Sequence, residues 1–147
     1  MIEIRVERIV KAPRLKVWNA LTTHQGWAAW FGDEIKGEFV AGQTQTLVFG
    51  KETICYAVVT EVVDQQVFAY RWHPGEDCAI DKYPAEEMTT VRFELEDHPD
   101  GTKIVLTESN FEVVPESRRE WCLGQNTQGW NDELEKLFRY VETGVAK

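Results

Sequence analysis

The stretch Ala12-Pro13-Arg14-Leu15-Lys16-Val17-Trp18-Asn19-Ala20-Leu21-Thr22, with Trp27 and the pair Trp30-Phe31 close behind, decides how this chain folds. Pro13 suits the first turn of a helix, where its missing N–H costs nothing. Val17, Trp18 and Leu21 recur at the spacing of one helical face, with Leu15 at its margin. A second short helix is predicted from His24 to Phe31, ended by Gly32. Upstream, Ile2, Ile4 and Val6 alternate with Glu3, Arg5 and Glu7, which predicts a strand over residues 2–11. The alternation slips at Arg8-Ile9-Val10, where a bulge or twist would restore registry.

From 35 to 112 the hydrophobic period is mostly two. Gly37, Gly42, Gly50, Asp64-Gln65, Pro74-Gly75 and Pro99-Asp100-Gly101 punctuate it as turns. Strands are predicted near 35–39, 44–50, 53–63, 66–73, 88–97 and 102–112, and neighbours at such spacing pair antiparallel as a meander. The stretch Pro74 to Glu87 carries Glu76, Asp77, Asp81, Glu86 and Glu87 and reads as an acidic loop. A long helix follows from about Ser117 to Thr143, with Gly129-Trp130 opening an apolar stripe of Leu134, Leu137 and Val141, and Gly144 stopping it. The order defines an α+β helix-grip plan: a curved antiparallel sheet wrapped around a long C-terminal helix, with two short helices after the first strand. Residues 1–147 read as a single domain, with no repeat or linker.

Strand parity selects what faces the helix. Phe68, Tyr70 and Trp72 share one face, with Ala69, Arg71 and His73 on the other. Val91, Phe93 and Leu95 point inward, and so do Ile104 and Leu106; the same count carries Glu108 and Asn110 inward. Glu108 is the one charge that the pattern buries. An unpaired carboxylate in the interior is costly, so it calls for water, a partner or a function.

Composition bounds the partners. The net charge of −9, from 25 acidic against 16 basic residues, argues against nucleic acid and against docking on anionic lipid. The first residues lack the apolar run of a signal peptide, and Cys55, Cys78 and Cys122 are an odd, widely spaced set that reads as reduced thiols. Both features predict a cytoplasmic protein. No His-Glu-x-x-His, glycine-rich phosphate loop or cluster of metal ligands is present in the sequence, so no cofactor or metal is expected. His24, His73 and His98 are scattered, and no catalytic residue is assigned.

With these elements in place the chain resembles the START-like helix-grip superfamily, also called SRPBCC. Within it, the chain is most similar to the family named for the activator of the heat-shock protein 90 ATPase. The resemblance rests on Ala12-Pro13 through Val17-Trp18 and Ala20-Leu21-Thr22, on Trp30-Phe31, and on Val59-Thr60-Glu61-Val62. It also rests on a strand ending in Trp72, on Gly101-Thr102 before a strand, and on Gly129-Trp130 in the last helix. Two positions depart from the pattern: Ala41-Gly42 stands for a paired glycine, and Glu108 for a frequent His.

The resemblance implies a cavity between the sheet and the last helix that takes a hydrophobic or amphipathic small molecule. Trp27, Trp30, Phe31, Tyr70, Trp72, Phe93, Glu108, Gln125, Gly129 and Trp130 are the expected ligand-binding residues, in a cavity of about 300–1,000 Å³. The alternative is a protein-interaction or co-chaperone-like regulator acting through a surface patch, and an isomerase- or hydrolase-type enzyme using Glu108 comes third. A monomer or a homodimer fits either of the first two.

Overall fold

The computed structural model describes residues 2–50, 53–75 and 83–147. In chain order the elements are β1 (Ile4–Val10), α1 (Arg14–Thr22), α2 (His24–Trp30), β2 (Glu34–Lys36), β3 (Thr44–Phe49), β4 (Thr53–Val63), β5 (Val67–Trp72), β6 (Thr89–His98), β7 (Gly101–Ser109) and α3 (Glu116–Thr143). The seven strands form one antiparallel sheet in the order β1-β7-β6-β5-β4-β3-β2. The strands from β2 to β7 make the expected meander, whereas β1 closes onto β7, about a hundred residues away in sequence. The acidic residues Glu76, Asp77 and Asp81, and Cys78, lie outside the described residues.

Two of the sequence signatures turn out to be a single contact. Gly101 opens β7 with φ +144°, and a Cβ there would lie 2.0 Å from the Val10 carbonyl oxygen. Only glycine fits this approach. The next residue, Thr102, is fully buried, and its hydroxyl donates to the Ala12 carbonyl at 2.7 Å. The Gly-Thr pair thus fixes the junction between β1 and α1, on which the Ala12-Pro13 start depends.

Several boundaries differ from expectation. β1 needs no bulge: its register with β7 runs unbroken from Ile4↔Glu108 to Val10↔Thr102. Arg8 occupies an inward parity position because its guanidinium lies over the Phe138 ring of α3, 4.6 Å from the centroid, and pairs with Glu135. A long cationic side chain can cover apolar surface while its head stays wet. Ile9 is left outside. The bulge falls instead in β4 between Val59 and Glu61. β7 ends at Ser109, because Asn110 adopts a left-handed conformation (φ 70°) and turns the chain. Asn110 is therefore exposed and bonds Thr90, not the interior.

Helices α1 and α2 are joined by the tryptophans. The Trp30 indole N–H donates to the Ala20 carbonyl at 2.9 Å and the Trp27 indole to the Leu21 carbonyl. These carbonyls belong to the last turn of α1, which has no intrahelical partners for them. Both rings are fully buried. On α3 the buried face is Cys122, Trp130, Leu134, Leu137, Phe138 and Val141, and Gly144 ends the helix with its N–H on the Tyr140 carbonyl at 2.8 Å. Cys122 is a free, buried thiol whose pKa burial pushes up.

Candidate functional site

Glu108 sits in β7 between Ile4 of β1 and Val91 of β6, on the face toward α3, with no exposed surface. Among the described residues, four neighbours donate to its carboxylate. Trp130 Nε1 reaches Oε1 at 2.8 Å, and Trp72 Nε1 reaches Oε2 at 2.9 Å. Thr89 Oγ1 donates to Oε2 at 2.6 Å, and Asn126 Nδ2 spans both oxygens at 2.9 and 3.0 Å. The donors come from β5, β6 and two positions one turn apart on α3, so the carboxylate ties the sheet to the helix. A carboxylate has about four acceptor sites, and here all are taken. No Lys, Arg or His nitrogen among the described residues lies within ion-pair distance of it.

Asn126 extends the network, accepting the Gly75 N–H at 3.1 Å on its Oδ1. Tyr70 stands on the same side of the sheet, almost wholly buried, and its hydroxyl has no hydrogen-bond partner among the described residues. Burial, and secondarily the nearby Glu108 charge, push its phenol well above the ordinary tyrosine value. His73, expected on the outer face, is buried at the strand end and donates from Nε2 to the Pro84 carbonyl at 2.9 Å.

In front of this network is a pocket of about 120 Å³, lined by Phe31, Phe49, Trp72, Gln125, Asn126, Gly129, Trp130 and Glu133. Its aromatic walls touch one another: Phe31 and Trp130 stack at 5.8 Å, Trp72 and Trp130 meet at 5.8 Å, and Phe31 meets Phe49 edge-on at 5.2 Å. The volume is smaller than the expected range, because Trp27, Trp30, Tyr70 and Phe93 fill the space further in. Trp27 alone has ring neighbours in Trp30, Phe31, Phe68, Tyr70 and Phe93.

Of the ten expected residues, the structure brings Phe31, Trp72, Gln125, Gly129 and Trp130 together as pocket wall. It places Trp27, Trp30, Tyr70 and Phe93 in the packed interior and Glu108 directly behind the wall. Phe49, Asn126 and Glu133 were missed. Asn126 and Glu133 flank Gly129 at one helical turn on either side, the spacing that could have found them. Gly129 is not explained by close packing: a Cβ there would meet nothing within 4 Å. Its missing side chain is part of the open space of the pocket.

An antiparallel sheet gripping a C-terminal helix around an aromatic interior defines a helix-grip protein. Residues 11–142 match the model of the family described as activator of Hsp90 ATPase homolog 1-like protein, and the chain belongs to that family. An Aha1 dimer from Colwellia psychrerythraea shares the fold with a TM-score of 0.79 and 24% identity, covering 98% of each chain. A Staphylococcus saprophyticus protein does so at a TM-score of 0.75 and 20% identity, over 99% of this chain and 96% of that one. DynU16, from the dynemicin biosynthetic locus, is 26% identical at a TM-score of 0.78, and this chain covers 98% of itself but 48% of DynU16. Among curated proteins, 71 residues are 34% identical to human PAN2, the catalytic subunit of the PAN2-PAN3 deadenylation complex. That stretch is 46% of this chain and 6% of PAN2.

Proposed function

We propose that this protein binds a small amphipathic molecule at the pocket between the end of the sheet and α3. The observation that carries the reading is the construction of the pocket. Four aromatic rings and a glycine-made recess open in front of a fully buried carboxylate that is held by four donors. Apolar walls with a few fixed polar groups are the usual make-up of small-ligand sites. Glu108 supports the reading as the group that fixes Trp72 and Trp130 in place. With both oxygens saturated it has no free site for proton transfer, which disfavours the enzyme reading.

The test is titration with a panel of apolar acids, alcohols, amines and polycyclic aromatics, following tryptophan emission and melting temperature. A true ligand shifts emission through Trp72 and Trp130 and raises the melting temperature by mass action. Gly129→Leu, which fills the recess, abolishes both effects. A panel with no such member overturns the proposal. The regulator reading would then lead, acting through exposed apolar side chains such as Ile54, Val62 and Val63 on β4. It would be checked by binding to a chaperone ATPase and loss on Ile54→Lys.

A further inference from the structure

We infer that the molecule taken by this pocket carries a positive charge, as a small alkylammonium group between a primary amine and a quaternary ammonium. This rests on the binding reading above and narrows it to a ligand class.

The first argument is charge. Among the described residues, none of the eight that line the pocket is Lys, Arg or His, and one of them, Glu133, is an acid whose side chain is largely shielded from solvent. Lys136, one turn on, pairs with Glu133 Oε2 at 2.8 Å but does not line the pocket. Behind the wall, Glu108 is bonded, among the described residues, only by neutral donors, so its hydrogen bonds are satisfied while no described cation pairs with its charge. Lys136 offsets part of the Glu133 charge; the remaining field, chiefly that of the buried Glu108, is screened less in a partly enclosed recess than in water. A fatty acid would meet that field as repulsion, and a neutral apolar group would draw nothing from it.

The second argument is the rings. Phe31, Phe49, Trp72 and Trp130 supply aromatic surface on several sides, the arrangement that attracts alkylammonium groups by cation–π interaction. Trp72 and Trp130 both donate their indole N–H to Glu108. A hydrogen bond given to a carboxylate polarises the indole and makes its face more negative.

The third argument is size. Liquid water occupies roughly 30 Å³ per molecule, so a pocket of about 120 Å³ holds about four water-sized groups. An ammonium nitrogen with its methyl substituents is of that size.

The experiment uses three compounds of one shape on the whole protein: choline, its neutral isostere 3,3-dimethyl-1-butanol, and 3,3-dimethylbutanoate. Each is titrated at low salt while the Gly129 amide signal and tryptophan emission are followed. The expected result is that choline binds at least about tenfold tighter than the neutral alcohol and that the carboxylate does not bind. Glu133→Gln should weaken choline several-fold and leave the alcohol unchanged, a split that mere damage to the pocket would not produce. If the alcohol binds as tightly as choline, the charge inference fails and the pocket reading stands. If no compound, here or in the wider panel, moves the Gly129 amide, both fail together.

Discussion

Replacing Glu108 by Gln keeps the side chain's shape and exchanges one acceptor oxygen for an NH₂ group, which makes it a direct test of the four-donor network. With the nitrogen at the Oε1 position it faces the Trp130 indole N–H, 2.8 Å away, and Asn126 Nδ2. Asn126 can turn its oxygen toward the amide only by giving up the Gly75 N–H. With the nitrogen at the Oε2 position it faces the Trp72 indole and the Thr89 hydroxyl, at 2.9 and 2.6 Å. Thr89 can rotate toward the Trp72 carbonyl, 3.5 Å away, but the indole N–H cannot turn. Either orientation therefore orphans at least one buried indole, at roughly 1–3 kcal/mol, and weakens the remaining bonds from charge-assisted to neutral. Removing a buried charge offsets part of this. The expected net loss is about 2–4 kcal/mol. At a urea m-value of about 2 kcal/mol per molar, the midpoint should fall by roughly 1–2 M with m unchanged. In the Gln background one of Trp72→Phe and Trp130→Phe, the one that removes the orphaned indole, should cost less than in the native protein. A Glu108→Gln protein as stable as the parent, or more so, would refute the reasoning. The carboxylate would then be a strained group that the fold tolerates for its function.

Gly129→Ala and Gly124→Ala should each raise stability by about 0.5–1 kcal/mol in thermal melts, because both sit inside α3 and a Cβ at either meets nothing within 4 Å; a loss at Gly129 alone would mean that the helix needs a closer approach there. Tyr70 should remain un-ionised in an alkaline absorbance titration until the protein unfolds. Its folded pKa is raised, so the unfolded chain loses the proton first, and stability falls as pH rises above the ordinary phenol value of about 10. Tyr70→Phe should remove that part of the pH dependence, and an unchanged profile would count against burial as the cause. Trp18→Ala should destabilise by about 3–5 kcal/mol, since Trp18 packs in the core from α1, and an unmoved melt would remove it from the structural set.

Periodicity made the elements legible in the sequence. A helix of 3.6 residues per turn and a strand of two leave different marks, and Gly144, Pro13 and the Pro99-Asp100-Gly101 turn punctuate them. The inward position of Glu108 was also legible, because the parity set by Ile104 and Leu106 carries through to Glu108 in a strand whose register with β1 and β6 has no bulge. Motifs identified the family for the same reason: Gly101-Thr102 and Ala12-Pro13 are fixed residues on two sides of one contact.

Only the tertiary structure decided the rest, because it depends on distance between segments and not on spacing within one. Nothing local to β1 says that it closes on β7, or that Arg8 lies over Phe138 across the sheet edge. An inward aromatic reads the same in sequence whether it fills space or borders it. Packing alone sent Trp27, Trp30, Tyr70 and Phe93 into a filled interior and left Phe31, Trp72 and Trp130 around a recess. A buried carboxylate, likewise, shows in one strand only that it needs partners. That they are two indoles, a hydroxyl and an amide, with no cation among them, follows from where three other elements place their side chains.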